Sequence, residues 1–325
     1  MKASLPLTQQ PFQQKRLRCF FEKGKLFYAE YNIRLFFYLL FKKMDCIGAI
    51  DLDSILPCYF VSRLKKVQRV YDAHELFCEM KEIATRPAIY KIWKKIERYT
   101  VPKFIHGYTV NQPIAEEFKK MYAVDYTVIR NIALLRNSSI PEKKEKFILY
   151  QGAVNEGRSF ETLIPAMKEV NAQLIICGDG NFMQQAQQLV QEHGLQQKVI
   201  FKGKIKPDEL RAITQQAYIG VTLFDDEGLS NYYSLANRFF DYLHAGIPQL
   251  CVNYPVYREI NDQYHIAVLT DDISEKKLAV LLNNLLDNEV EYKTLQQNCL
   301  KAREQLNWQQ EEKKLFEFYN QIFNH

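Results

Sequence analysis

The chain has 325 residues, 47% of them hydrophobic, which is the size of about two domains with substantial cores. Its 43 basic and 38 acidic residues leave a net charge of +5, too mild for a dedicated nucleic-acid binder. The seven cysteines (19, 46, 58, 78, 177, 251 and 299) are odd in number, scattered and without a C-x-x-C pair. That argues against a disulfide framework or a zinc site and for reduced thiols in the cytoplasm.

The first ten residues lack the charged, apolar and small-residue order of a secretory leader. The longest apolar run, 35–41, is far short of the roughly 20 residues that cross a bilayer. Residues 15–43, KRLRCFFEKGKLFYAEYNIRLFFYLLFKK, are basic and aromatic. Two readings stand: a core helix with a solvated basic edge, or a peripheral contact with an anionic membrane surface.

From residue 45 strand-like and helix-like segments alternate. CIGAI (46–50), SILPCYFVSRL (54–64) and VQRVYD (67–72) read as strand, helix and strand. PAIYKIWKKIERYTV (87–101) is an amphipathic helix opening on a proline, followed by strand HGYTV (106–110), helix IAEEFKKMY (114–122) and strand YTVIRN (126–131). Residues 132–146 lose periodicity and turn polar, which marks a boundary. Strands resume at 147–152, 173–180, 198–203, 218–224, 248–253 and 265–270, and LNWQQEEKKLFEFYNQIF (306–323) is a closing helix. The expected organisation is a first domain over 1–134, a linker over 135–146, a second domain over 147–305, and a helix over 306–325 crossing back to the first. Regular alternation predicts doubly wound parallel sheets in two Rossmann-like domains facing a cleft, with ligands at the carboxyl ends of the strands.

The candidate chemistry sits where strands end. In LYQGAVNEGRSFETLIPAM (149–167) a strand ends at Gly152 and a loop carries Gly157 and Arg158. Ser159 opens a helix whose free amides, with the arginine, suit a diphosphate. The spacing G-x-x-x-x-G-R-S is one substitution from the phosphate loop of NTPases, but a planar guanidinium does not fit the lysine's cradle. ICGDGN (176–181) puts Gly178 and Gly180 in a strand-to-helix turn, either as ligand contacts or as a tight turn. YDAHELF (71–77) places His74 past a strand end, able to bond a sugar hydroxyl or relay a proton, or to serve as a structural hydrogen-bonding residue. No histidine has metal-ligand spacing, so no metal site is expected. In SLANRFFDYLHAGIP (234–248), Leu235, Phe239, Tyr242 and Leu243 share one helix side and Ser234, Asn237 and Asp241 the other. Gly246 fits a C′ cap with Pro248 beyond it. Arg238 and Asp241 are either a surface i, i+3 pair or functional residues.

In order and spacing, YDAHELF, PAIYKIWKKIE followed by YTVNQPIAEEF and VIRN, YQGAVNEGR, ICGDGN and SLANRFFDYLHAGIP together resemble glycosyltransferase family 4, over about 45–325. Its members have the two-domain GT-B fold. The resemblance implies a nucleotide-diphosphate sugar held by the second domain, with Arg158 on the phosphates, Asp241 (five before Gly246) on the ribose hydroxyls, and His74 near the donor sugar. Gly152, Gly178, Gly180, Ser234, Asn237 and Arg238 complete the expected donor site. It further implies sugar transfer with retention, without a metal ion or cofactor, to a glycan or lipid-linked acceptor in surface polysaccharide assembly at the inner membrane face.

Several positions depart from the family pattern. Eight residues before Asp241, where a glutamate is usual, stands Tyr233; Glu227 in the same loop is the candidate in its place. Asp241 is shorter than the usual glutamate, and Ala153 replaces an arginine, leaving more of the phosphate load to Arg158. The family's opening strand, glycine loop and helix have no counterpart before residue 45, so the first domain is expected to be incomplete, through truncation or genuine reduction. A catalytically inactive GT-B-like binding or scaffold protein is therefore the alternative to an active transferase.

Overall fold

The computed structural model describes residues 7, 9–136, 145–225 and 228–324. The chain folds as two compact units: Met1–Cys78 with Glu82–Thr109 and Ala115–Val128, and Glu79–Lys81 with Val110–Ile114 and Ile129–His325.

Up to residue 128 the elements are α1 (Gly24–Leu40), β1 (Cys46–Ile50), α2 (Ile55–Lys65), β2 (Gln68–Ala73), α3 (Lys81–Ala84), α4 (Pro87–Thr100), β3 (His106–Thr109), α5 (Gln112–Tyr122) and β4 (Thr127–Val128). The four strands lie in chain order and pair in parallel, leaving β1 at an edge. Tyr71 is the centre of this unit's packing, touching the rings of Phe104, Phe118 and Tyr126. A side chain at Gly107 would come within 2.6 Å of the Tyr126 ring, so glycine is what lets that ring lie against β3.

Two expectations need correction here. The strand predicted over 126–131 is confined to Thr127–Val128, because the next backbone donors leave the sheet: the Arg130 N–H bonds the Glu311 carboxylate at 2.9 Å. The core-helix reading of 15–43 fails as well. α1 begins only at Gly24 and buries no residue fully, with Leu26, Ile33 and Phe37 each more than half exposed.

The remaining elements are β5 (Phe147–Gln151), α6 (Phe160–Ala166), β6 (Gln173–Cys177), α7 (Met183–Glu192), β7 (Val199–Gly203), α8 (Pro207–Gln216), β8 (Ile219–Thr222), α9 (Leu229–Tyr232), α10 (Asn237–His244), β9 (Gln249–Val252), α11 (Pro255–Tyr264), β10 (Ala267–Thr270), α12 (Glu275–Asp287), α13 (Glu289–Ala302) and α14 (Trp308–Phe323). The strands form one parallel sheet in the order β10-β9-β8-β5-β6-β7. The chain winds outward from β5 to β7 and then returns to β5's other side, so the order reverses between β5 and β8. In open α/β sheets such a reversal leaves a crevice at the strands' carboxyl ends.

Every residue of β5 is buried, and alternate residues serve opposite faces. Ile148 and Tyr150 join the larger core, with α6, α7, α11 and α12 residues; Phe147 and Leu149 join a smaller one, with Tyr242, Ile247, Leu210 and Ile213. β5 and β8 pair only at Ile148–Ile219 and Leu149–Gly220 and then part. Separation would strand the Leu149 carbonyl and the Gln151 N–H, and Tyr242 of α10 meets both. Its hydroxyl donates to the Leu149 carbonyl at 2.9 Å and accepts the Gln151 N–H at 3.1 Å. The ring passes where a side chain at residue 220 would stand 2.4 Å away, so Gly220 opens the way for it.

α10 starts at Asn237, not at Ser234, because Ala236 is extended. It ends as expected: Gly246 (φ +60°) closes a Schellman turn, with Ile247 N–H on the Tyr242 carbonyl and Gly246 N–H on that of Leu243.

Removing the Tyr242 hydroxyl leaves two buried backbone groups without partners. Tyr242→Phe is expected to lower the stability of the second unit by about 2 kcal/mol, seen as a lower urea midpoint with an unchanged slope.

Candidate functional site

The crevice floor is made by three loops locked in sequence. Gly152 donates to the Cys177 carbonyl (2.9 Å) and Gly178 to that of Gly203 (2.8 Å). A side chain at Gly178 would sit 1.7 Å from the Gly152 carbonyl oxygen, and one at Gly180 would sit 2.3 Å from that of Val154. These two glycines therefore let the loop after β6 press against the loop after β5, Gly180 lying against the Asn155 side chain as well as backbone. Gly152 itself lies exposed on the crevice floor.

Arg158 and Arg238 both lie against one aromatic ring, Phe224. The Arg158 guanidinium lies 4.4 Å from the centre of the Phe224 ring. That of Arg238 lies 4.7 Å from the same ring and 4.8 Å from Tyr150. Arg238 is 8% exposed, yet its Nε has no hydrogen-bond partner and its Nη2 has only a long contact (3.5 Å) with the Leu223 carbonyl. Ring faces hold the flat of a guanidinium and leave its N–H edge for an in-plane acceptor. Ser159 Oγ is likewise buried without a partner. Burying a cation with idle donors is costly unless an anion completes the site. The surface-pair reading of Arg238 and Asp241 is thereby overturned: Arg238 is buried among rings, and Asp241 bonds Gln151 instead. Ser159 does precede a helix, but it sits in the left-handed region (φ +55°) and α6 has only seven residues.

Arg158 is also tied from the other side. Its Nη1 donates to Asn231 Oδ1 (3.2 Å), and Asn231 Nδ2 donates to Asp225 Oδ1 (2.9 Å). Lys81 reaches Asp225 Oδ2 at 3.5 Å. Asp225 and Asn231 escaped the sequence reading; their signal is that polar residues follow β8 at the reversal of strand order. Glu227 lies outside the described residues. Ser234 Oγ is enclosed beside Tyr257, just before α10, and Asn237 is exposed at the helix's first position.

On the α8 side of β5 a cavity of about 370 Å³ opens, lined by Gln151, Ile205, Leu210, Arg211, Asp241 and Arg303 among others. It joins an apolar wall from Ile205 and Leu210 to a carboxylate and arginines. Asp241 is half-buried, and burial pushes its carboxyl up to about 6 against the lowering effects of the Gln151 amide and Arg211.

His74, in the first unit, follows β2. Its N–H bonds Asp51 Oδ1 (2.9 Å) and its Nε2 lies 3.2 Å from Asp72 Oδ1, whose other oxygen accepts from the Tyr108 hydroxyl. The hydrogen bond to Asp72 raises the imidazole above its ordinary pKa despite partial burial. Among the described residues no group of three or more His, Cys, Asp or Glu is placed to hold a metal ion, and no helix is long and apolar enough to cross a membrane.

A model of the family described as "Glycosyl transferases group 1" matches residues 131–304, more than half of the chain. Among solved structures, sucrose-phosphate synthase from Thermosynechococcus elongatus matches with a TM-score of 0.75 at 18% identity, over 92% of this chain and 79% of that one. HepE of Anabaena, solved with UDP and glucose, gives 0.71 at 13% identity, over 91% and 83%. TarM of S. aureus, solved as a mutant with fondaparinux, alpha-GlcNAc-glycerol and UDP, gives 0.68 at 14% identity, over 88% of this chain and 58% of that one. This chain thus spans less than two thirds of TarM. At such identities the likeness is one of fold, the parallel α/β architecture of GT-B proteins. No curated protein matches the sequence.

Because folding raises the pKa of Asp241, its ionised form costs stability above about pH 6, and the cost fades as the pH falls towards 4. Asp241→Asn is expected to raise the melting stability by about 1–2 kcal/mol at pH 8 and to gain progressively less down to pH 4, followed by thermal melts across that range.

Proposed function

Since the chain belongs to the group 1 glycosyltransferases, we propose that the crevice of its second unit binds a nucleotide-diphosphate sugar and that the sugar is transferred with retained configuration, without a metal ion, to a glycan or lipid-linked acceptor. The observation that carries this reading is the buried, ring-held Arg238 with an idle Nε, sharing the Phe224 ring with Arg158 from the loop after β5. Two cations against one ring, with no carboxylate bonded to Arg238 among the described residues, suit the two charges of a diphosphate.

The adjoining cavity suits the nucleoside. Ile205 and Leu210 offer an apolar wall to a base, and Asp241 offers acceptor oxygens to ribose hydroxyls. UDP is the nucleotide to test first, being the one present in the HepE and TarM structures. In the transfer step an acceptor hydroxyl attacks the anomeric carbon on the face from which the diphosphate departs. The new C–O bond forms as the old one breaks, and the hydroxyl proton passes to an oxygen of the leaving phosphate. Arg158 and Arg238 stabilise the negative charge that grows on that phosphate, the work a divalent cation does elsewhere. His74, held by Asp51 and Asp72, is assigned to the donor sugar.

The setting proposed is surface polysaccharide assembly in the cytoplasm at the inner membrane face. The first unit supports it with exposed Phe20, Ile33, Phe37 and Phe41 among the basic residues of 15–43, a composition suited to an anionic membrane surface. The competing reading of an inactive binding protein rests on Tyr233 standing where the family carries a glutamate.

Transfer and hydrolysis with a panel of nucleotide sugars, with and without EDTA, test the proposal. Arg158→Ala and Arg238→Ala are each expected to weaken nucleoside diphosphate binding by about ten- to a hundredfold and to depress turnover at least as much. Turnover should survive EDTA. Binding without transfer or hydrolysis of any donor would leave the inactive binding protein as the correct reading.

A further inference from the structure

We infer that Gln151 is the positioning residue that aims the Asp241 carboxylate at the ribose, an inference that rests on the donor site proposed above. Gln151 ends β5 and is 4% exposed, so both ends of its amide need partners. Its Nε2 donates to Asp241 Oδ2 at 2.7 Å, and its Oε1 accepts from the Thr214 hydroxyl at 2.6 Å. Its backbone N–H is held by Tyr242. Main chain and side chain are thus pinned from α8 and α10 together.

Thr214 decides which way the amide points. When its hydroxyl donates to Oε1, the NH₂ must face Asp241, which suits the ionised carboxylate. The same hydroxyl also lies 2.8 Å from the Leu210 carbonyl. With the hydroxyl turned there, the amide is free to reverse and present Oε1 to Asp241, which suits only the protonated acid. In the first arrangement one carboxylate oxygen is engaged by the amide, which limits rotation of the carboxyl group; Oδ1 takes no protein hydrogen bond among the described residues and is left for a ribose hydroxyl. An aspartate reaches less far than a glutamate, so its aim matters more. The other charged or titratable groups on this cavity are Arg211 on α8, His244 on α10, Arg136 and Arg303; burial lowers the His244 pKa.

The test is titration calorimetry of the full chain with UDP, 2′-deoxy-UDP and 3′-deoxy-UDP from pH 5 to 8.5. Wild type should prefer UDP and lose that preference as the pH falls through about 6. Gln151→Leu should cut the preference by about fivefold or more and move its midpoint up by about one pH unit, since a charge-assisted hydrogen bond to the carboxylate is gone. Thr214→Val should act in the same direction and Thr214→Ser should resemble wild type. In an Asp241→Asn background Gln151→Leu should have no further effect on the preference. An unchanged preference and midpoint in Gln151→Leu, or equal weakening of UDP and both deoxy forms, would overturn the inference while leaving the donor site standing. No binding of UDP, GDP or ADP by wild type would remove the donor site itself.

Discussion

The second unit depends on one hydroxyl. Where β5 and β8 part, the sheet must give up backbone hydrogen bonds to make room for a ligand, and buried backbone groups without partners are costly. The Tyr242 hydroxyl takes up both of them, so the crevice can open without leaving the end of β5 unsatisfied. Gly220 admits the ring, and the Gly246 turn ends the helix just after it.

That single anchor also places the candidate chemistry. Arg238, Asp241 and Tyr242 belong to one helix, so docking Tyr242 on β5 fixes where the other two fall. Successive residues of β5 point to opposite faces. Arg238 accordingly stacks on Tyr150, while Asp241 meets the amide of Gln151. The cation and the carboxylate are held by different neighbours and do not neutralise each other. Each retains a group for a ligand: the Arg238 Nε and the Asp241 Oδ1. The arrangement is costly, with a buried arginine whose Nε is idle and a carboxylate raised by burial. Such costs concentrate at functional sites, where a ligand offsets them.

Much of the fold was legible in the sequence. Strands such as FILYQ and IGVT are buried on both faces and read as apolar runs, and helices between them fill the crossovers, so a parallel doubly wound sheet follows from pattern alone. The Gly246 cap was legible because its chemistry is local. β4 was overread because its end is set by Glu311, far along the chain. Of the two readings open for 15–43, the core helix rests on aromatic residues whose implied burial the first unit does not provide. At the site, Arg158 stands out beside Gly157 where β5 leads into a helix, whereas the role of Asp241 comes from the family resemblance, since the residues alone leave a surface ion pair open. Gln151, Asn231, Asp225 and the polar role of Tyr242 were not legible, since each acts through a partner from a distant strand or helix. Tyr242 was placed on the apolar side, where its ring does lie; the work of its hydroxyl shows only once β5 and β8 are seen to separate.

The central claim is that one helix sets both halves of a nucleoside diphosphate site at the reversal of strand order. A crystal structure of the chain with UDP tests it most directly. The account predicts the diphosphate between the Arg158 and Arg238 guanidinium groups above Gly152, the ribose on Asp241 Oδ1, and the base against Ile205 and Leu210. UDP bound elsewhere on the chain, or in this cavity with Arg238 still stacked and untouched by phosphate, would contradict it.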